Sequence, residues 1–161
     1  MLPLLHVLSA IAAEPTTTVD SGGTVQVECF VAASESEVRA LITDPHVAAK
    51  LTPDILAIKT LTKGECLTLG VTVTGAWDPL TYTSQRCPTA TGFKYKLLQS
   101  DDITAYEAEW KLEPQTDGGT KVTYRIKTEI DLPVPQSLVR KGVIASAKET
   151  IQHLIEKLAR K

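Results

Sequence analysis

The sequence predicts an α+β fold: an antiparallel sheet of six to seven strands, two short helices after the first strand, and a long C-terminal helix covering the sheet. Three observations carry this. Between Ile55 and Ile130, apolar and polar side chains alternate in short runs broken by turn residues, the period of two that marks half-buried strands. After Pro135, apolar residues recur at three and four, the stripe of one helix about 24 residues long. Ahead of both, Ser34 and Glu37 have the Ser-x-x-Glu spacing of a capping box, which opens a helix soon after the first strand.

The first strand is "TVQVECF", in which Val25, Val27 and Cys29 alternate with Gln26 and Glu28 after the Ser21-Gly22-Gly23 turn. The capped helix starts near Glu35 and stops by Asp44, because Pro45 disfavours helical backbone in the residue before it. A second short helix runs from His46 to Leu51, ahead of Pro53. "ILAIKTL" then leads through Lys63-Gly64 into "CLTLGVTVTG", where Leu67, Leu69, Val71 and Val73 share a face. Trp77-Asp78-Pro79-Leu80 turns the chain into "TYTSQRC", and "GFKYKLL" follows with Phe93, Tyr95 and Leu97 on one side. "ITAYEAEWKLE" sets Tyr106, Ala108, Trp110 and Leu112 against Glu107, Glu109 and Lys111, and "TKVTYRIKTEI" sets Val122, Tyr124 and Ile126 against Lys121, Arg125 and Lys127. Short connections make these strands antiparallel, and strict alternation leaves one face wet and one covered.

The last two strands join at Asp117-Gly118-Gly119, where glycine takes the positive backbone angles of a tight hairpin. Pro133 ends the sheet by withholding a ladder N–H, and Pro135 suits the first turn of a helix. At 1.5 Å per residue, that terminal helix is about 36 Å long, enough to cross the sheet.

A chain of 161 residues forms one domain, residues 24–160, large enough to bury a core or to enclose a hollow. Its 17 basic and 19 acidic residues leave a net charge of -2 with no basic run, which argues against nucleic acid as a partner. Hydrophobic residues make up 43% and aromatic ones 5%, so the interior is mostly aliphatic. No stretch reaches the roughly 20 apolar residues of a transmembrane helix. Nothing in the sequence sets an oligomeric state.

Residues 1–13 read as a signal peptide: Leu2 to Ala13 is apolar and ends in Ala10-Ile11-Ala12, a small-x-small pattern, although no Lys or Arg precedes it. Such a signal implies a secreted or periplasmic protein; the alternative, a short N-terminal helix or frayed tail, leaves it cytoplasmic. Cys29, Cys66 and Cys87 are an odd count without Cys-x-x-Cys spacing, so neither a metal site nor a redox motif is indicated. In an exported protein, Cys66 and Cys87 on neighbouring strands are the pair to test for a bridge. Otherwise all three are buried thiols acting as small hydrophobes.

Three stretches, "VQVECFVAASESEVRALITDPHVAAKLTP", "WKLEPQTDGGTKVTYRIKTEI" and "VPQSLVRKGVIASAKETIQHLIEKLAR", resemble the first strand and helices, the last hairpin and the terminal helix of the START-like, or SRPBCC, superfamily. That superfamily includes polyketide cyclase and dehydrase-like proteins, lipid-transfer START domains and coenzyme Q-binding proteins. The resemblance implies the helix-grip fold, in which a curved sheet grips the terminal helix and leaves a cavity between them. It speaks more specifically to fold than to function, because the architecture is shared while ligands and activities vary. Strand parity lines the implied cavity with Leu69, Val71, Val73, Phe93 and Tyr95. Tyr106, Ala108, Trp110, Tyr124 and Ile126 follow from the last hairpin, and Val143, Ala147 and Ile151 from the helix. Small residues Ala48, Ala49, Ala145 and Ala147 leave room for a guest; the alternative for each position is ordinary core packing.

Groups for enzymatic chemistry are scarce. His46 and His153 fall outside the apolar stripes, His6 lies in the signal, and no nucleophile-elbow, zinc-protease or phosphate-cradling motif is present. Tyr82 and Arg86 share a strand face with Ser84 and are the polar candidates for the cavity. Arg86 either points inward, where a buried cation needs an anionic partner such as a ligand carboxylate or phosphate, or outward as a surface charge. Tyrosines at a pocket wall offer an apolar body and one hydroxyl, suited to orienting a phenol, quinone or sterol-like guest. The sequence therefore reads as a binder or carrier of a hydrophobic small molecule or lipid, with no cofactor or metal. The alternatives are a cyclase, dehydratase or aromatase working by folding a reactive substrate, and an interaction module with a filled core.

Overall fold

The computed structural model describes residues 14–160; the export signal expected over residues 1–13 lies outside them. In chain order the elements are strands β1 (Thr16–Val19) and β2 (Val25–Val31), helices α1 (Glu35–Ile42) and α2 (Pro45–Ala49), six strands, and helix α3 (Gln136–Ala159). The six strands are β3 (Ile55–Thr62), β4 (Leu67–Val73), β5 (Leu80–Pro88), β6 (Gly92–Gln99), β7 (Ile103–Pro114) and β8 (Thr120–Ile130). All eight strands form one antiparallel sheet in the order β1-β2-β8-β7-β6-β5-β4-β3. The sheet is curved and open, the helix-grip architecture.

One strand exceeds the expected six to seven. Thr16–Val19 pairs with β2 across a turn in which Asp20 Oδ1 accepts the backbone N–H groups of Gly22 at 2.9 Å and Thr24 at 3.0 Å. Its "TTTV" has no alternation of hydropathy, so the periodicity of the sequence does not reveal it. In α1, Ser34 caps as expected, its Oγ accepting the Glu37 N–H at 3.3 Å. Helix α2 begins one residue earlier than expected, because Asp44 Oδ1 caps it by accepting from the His46 N–H at 2.8 Å, which places Pro45 in the first turn. At the β7–β8 hairpin Gly118 has φ +89°, and a side chain on Gly119 would lie 2.5 Å from the Val31 carbonyl oxygen. Pro135 holds the N-cap position of α3, just ahead of its first turn.

Strand parity gives the buried face: Tyr82 and Ser84 of β5, Ala108, Trp110 and Leu112 of β7, and Val122 and Tyr124 of β8 are all buried. Arg86, which the sequence leaves free to point inward or outward, is buried with them. The opposite face is mostly wet and charged, with Lys94 and Glu109 paired at 3.4 Å, although Thr123 of β8 is buried there.

Helix α3 departs from the picture of one continuous cover. Its buried residues, Ala147, Thr150, Ile151 and Leu154, all lie in the C-terminal part, which packs with β2, β8 and α1 into the main core. Thr150 Oγ1 donates to the Ser146 carbonyl at 2.8 Å and pairs with Thr52 Oγ1 at 2.9 Å; His153 Nδ1 donates to the Leu51 carbonyl at 2.8 Å. These bonds tie the helix to the α2–β3 connection. Ahead of Ala147 the stripe lets go of the sheet: Val139 and Val143 are half-buried and Leu138 is 55% exposed. Cys66 and Cys87 form a disulfide across the β4–β5 pair, and Cys29 is a free, buried thiol. Among the described residues, no helix is long and apolar enough to cross a membrane.

Candidate ligand-binding site

Where α3 stands off the sheet, the two border a partly open cavity of about 420 Å³, within the usual span for small-molecule sites. Val73 of β4, Leu80 and Tyr82 of β5, Ile103 and Tyr106 of β7, and Tyr124, Ile126 and Ile130 of β8 form its walls. Leu138, Val139, Gly142, Val143 and Ser146 of α3 form its roof. The β4–β5 loop, through Gly75 and Ala76, and the β8–α3 connection, through Leu132 and Val134, border it as well.

A second chamber of about 40 Å³ lies under α2, lined by Ala48, Ala49, Leu69, Val71, Ser84, Tyr95, Ala108 and Trp110. Thr52, Ile55, Tyr82, Tyr106 and Tyr124 border both chambers, so three tyrosines stand between them. The rings of Tyr82 and Tyr106 meet at 4.8 Å and those of Trp110 and Tyr124 at 4.5 Å, tilted in both cases. All four tyrosines of the chain border this space. Burial raises the Tyr82 hydroxyl to about 12 and pushes Tyr95, Tyr106 and Tyr124 up as well, so all four are neutral donors at physiological pH. Among the described residues, the one carboxylate on the lining is Asp54, on the α2–β3 connection.

The two chambers bring together eleven of the residues expected from the sequence: Leu69, Val71, Val73, Tyr82, Tyr95, Tyr106, Ala108, Trp110, Tyr124, Ile126 and Val143. Four others border neither. Ala147 and Ile151 sit where α3 has closed onto the sheet and are core. Phe93 packs under the guanidinium of Arg86, whose centre is 3.7 Å from the ring centroid. Arg86 does point inward, but its donors are spent on the protein: Nε on Tyr95 Oη at 3.0 Å, and Nη2 on the carbonyls of Ile42 at 2.7 Å and Thr43 at 2.5 Å. It clamps the C-terminal end of α1, where orphan carbonyls and the negative end of the helix dipole favour a cation. Of the small residues, Ala48 and Ala49 border the inner chamber, whereas Ala145 faces solvent.

Sequence reading missed the first turns of α3 and the β8–α3 connection. Leu138 and Val139 carried a signal, the apolar stripe, but nothing local shows that this part of the stripe faces a hollow. The histidines lie elsewhere, His46 exposed with Nε2 3.0 Å from Thr60 Oγ1 and His153 on its carbonyl. A groove of about 470 Å³ on the outer sheet face is bordered by Lys94, Lys96, Glu107, Glu109, Arg125 and Lys127 and is a charged surface feature.

The family described as polyketide cyclase/dehydrase and lipid transport matches residues 23–161. No curated protein matches the chain by sequence. Among solved structures, a START superfamily protein from Mycobacterium smegmatis is 19% identical, with 85% of this chain and 97% of that one covered at a TM-score of 0.72. The STAR-related lipid transfer protein from Xanthomonas axonopodis is 16% identical, with 91% and 99% covered at 0.63. The Zhui aromatase/cyclase from Streptomyces sp. R1128 is 19% identical, with 83% and 84% covered at 0.59. At these identities the likeness is one of fold.

Proposed function

This chain belongs to the polyketide cyclase/dehydrase and lipid transport family, and from that membership we propose that it binds and carries a hydrophobic small molecule or lipid between the sheet and α3. The observation that carries the reading is the lining of the 420 Å³ chamber: mostly aliphatic side chains and tyrosines, with a few hydroxyls and, among the described residues, Asp54 as the sole charge. Such a surface gains by taking an apolar guest out of water, about 25 cal/mol for each Å² buried. The hollow also disfavours an interaction module with a filled core.

A cyclase or aromatase draws support from the family description and from the likeness to the Streptomyces protein. Turnover by acid–base catalysis requires groups that take up and release protons near neutrality, whereas folding a reactive substrate into shape does not. Tyrosines held above their ordinary range donate hydrogen bonds at pH 7 but do not act as bases, which favours carriage over acid–base turnover. The Cys66–Cys87 bridge supports an exported protein, since disulfides persist in oxidising compartments. A mature N-terminus near Ala13 is the expected finding on that point.

Native mass spectrometry of freshly purified protein tests the main reading. A co-purifying apolar species, or uptake of one equivalent of a fluorescent lipid after stripping, is the expected result. A protein that carries nothing and takes up no hydrophobic probe overturns it.

A further inference from the structure

The cavity beneath α3 carries charge of one sign. Asp54, half-buried on the α2–β3 connection, lines it, and among the described residues no Lys, Arg or His does. The main-chain carbonyl of Asp54 accepts the Thr74 N–H at 2.9 Å, which fixes the residue beside the β4–β5 loop. No cation among the described residues lies within 4.0 Å of its carboxylate. The β4–β5 loop, the β6–β7 turn and the β8–α3 connection lie at the same end of the sheet and add Asp78, Asp101, Asp102 and Asp131, with no cation.

The groups that could serve an anion are placed elsewhere. Arg86 is spent on Tyr95 and the α1 carbonyls. Arg140 lies against the β1–β2 turn, its Nη2 3.2 Å from where a side chain on Gly23 would begin, and Lys50 and Lys141 are exposed outside the lining. At the start of α3 the Leu138 and Val139 N–H groups bond the Pro135 carbonyl; Gln136 and Ser137, the first residues of the helix, do not line the cavity. A carboxylate beside low-dielectric walls projects its field along a cavity more strongly than one surrounded by water. An anionic head drawn towards Asp54 would lose hydration and gain no counter-charge, whereas an ammonium group gains one.

We infer that Asp54 makes the cavity select by charge, taking apolar guests that carry an ammonium group at their outer end and turning away carboxylates of the fatty-acid kind. The inference rests on the cavity being the ligand site, and adds to that reading the charge of the guest.

Equilibrium dialysis of the full chain at pH 7 against decylammonium, 1-decanol and decanoate, which share one alkyl chain and differ in the charge of the head, tests it. The wild type should bind decylammonium most tightly and decanoate least. Asp54→Asn should weaken decylammonium by about 3- to 5-fold, tighten decanoate by a similar factor and leave 1-decanol within about 2-fold. The substitution keeps the shape of the side chain and the main-chain carbonyl that Thr74 uses, so the variant folds. Asp101→Asn, at the same end of the sheet but outside the lining, should move none of the three affinities by more than about 2-fold. Equal binding of decylammonium and decanoate by the wild type, or a shift on Asp54→Asn no larger than that on Asp101→Asn, overturns the role of Asp54 while 1-decanol binding leaves the cavity a ligand site. Failure of all three probes to bind overturns both.

Discussion

Replacing Arg86 by alanine separates a clamp on the fold from an anchor for a ligand. In the structure the guanidinium holds the Ile42 and Thr43 carbonyls and Tyr95 Oη, and stacks on Phe93. Deleting it strands the Ile42 carbonyl in a buried setting, at a cost of about 1–3 kcal/mol, while the Thr43 carbonyl is partly exposed and regains water. Loss of the stacking removes about 1–2 kcal/mol more. Against this, a buried cation with no carboxylate within 4.0 Å among the described residues no longer has to be desolvated, which returns part of the sum. The net loss is about 3 kcal/mol, a fall in melting temperature of roughly 6–12 °C for a chain of this size.

Thermal unfolding followed by circular dichroism reads that shift, and dialysis well below the transition reads binding. On the clamp reading, Arg86→Ala binds 2-isopropenylnaphthalene as the wild type does, and the anionic 2-naphthoate binds weakly to both proteins. Tight, Arg86-dependent binding of 2-naphthoate, together with a stability change under about 0.5 kcal/mol, would refute the reasoning and restore Arg86 as a ligand anchor.

Val143→Phe projects a ring from α3 into the hollow and should weaken every apolar probe at least 10-fold with little change in melting temperature, because the new side chain meets space instead of packed atoms; unchanged affinity would put the guest elsewhere. The tyrosines predict the alkaline limit. Their folded values lie above the unfolded value near 10, so their contribution to stability is complete below pH 10 and is lost as the pH climbs towards 12. Phenolate absorbance at 295 nm should therefore stay near zero at pH 10 and rise together with unfolding; a half-ionised tyrosine in folded protein at pH 10 contradicts the buried cluster. Burial pushes the Cys29 thiol up to about 11, so a thiol reagent should find no reactive cysteine in the native protein, one after denaturation, and three only after reduction. Three without reductant would mean that Cys66 and Cys87 are not bridged.

Much of this arrangement is written in local sequence. Alternation along β4 to β8 placed Leu69, Tyr82, Tyr106 and Tyr124 on the covered face, since a strand's side-chain period is two whatever it packs against. The capping serine and the Asp-Pro step bounded α1 for equally local reasons. Strand β1 escaped because an edge strand with both faces near water needs no apolar alternation; its partner across the turn, and not its own hydropathy, makes it a strand.

What the sequence by itself determined is therefore the set of elements, their inward faces and the presence of tyrosines among the inward residues. Only the tertiary structure decided that α3 closes on the sheet from Ala147 onward and stands off before it, so that one apolar stripe serves as core along half its length and as cavity roof along the rest. It also decided that Arg86 serves α1, reaching carbonyls more than forty positions earlier in the chain, and that Ser84 is left with nothing to bond. The physical reason is the same in each case: periodicity reports which way a side chain points, whereas the presence of an atom, a carbonyl or empty space opposite it depends on residues far away in the chain.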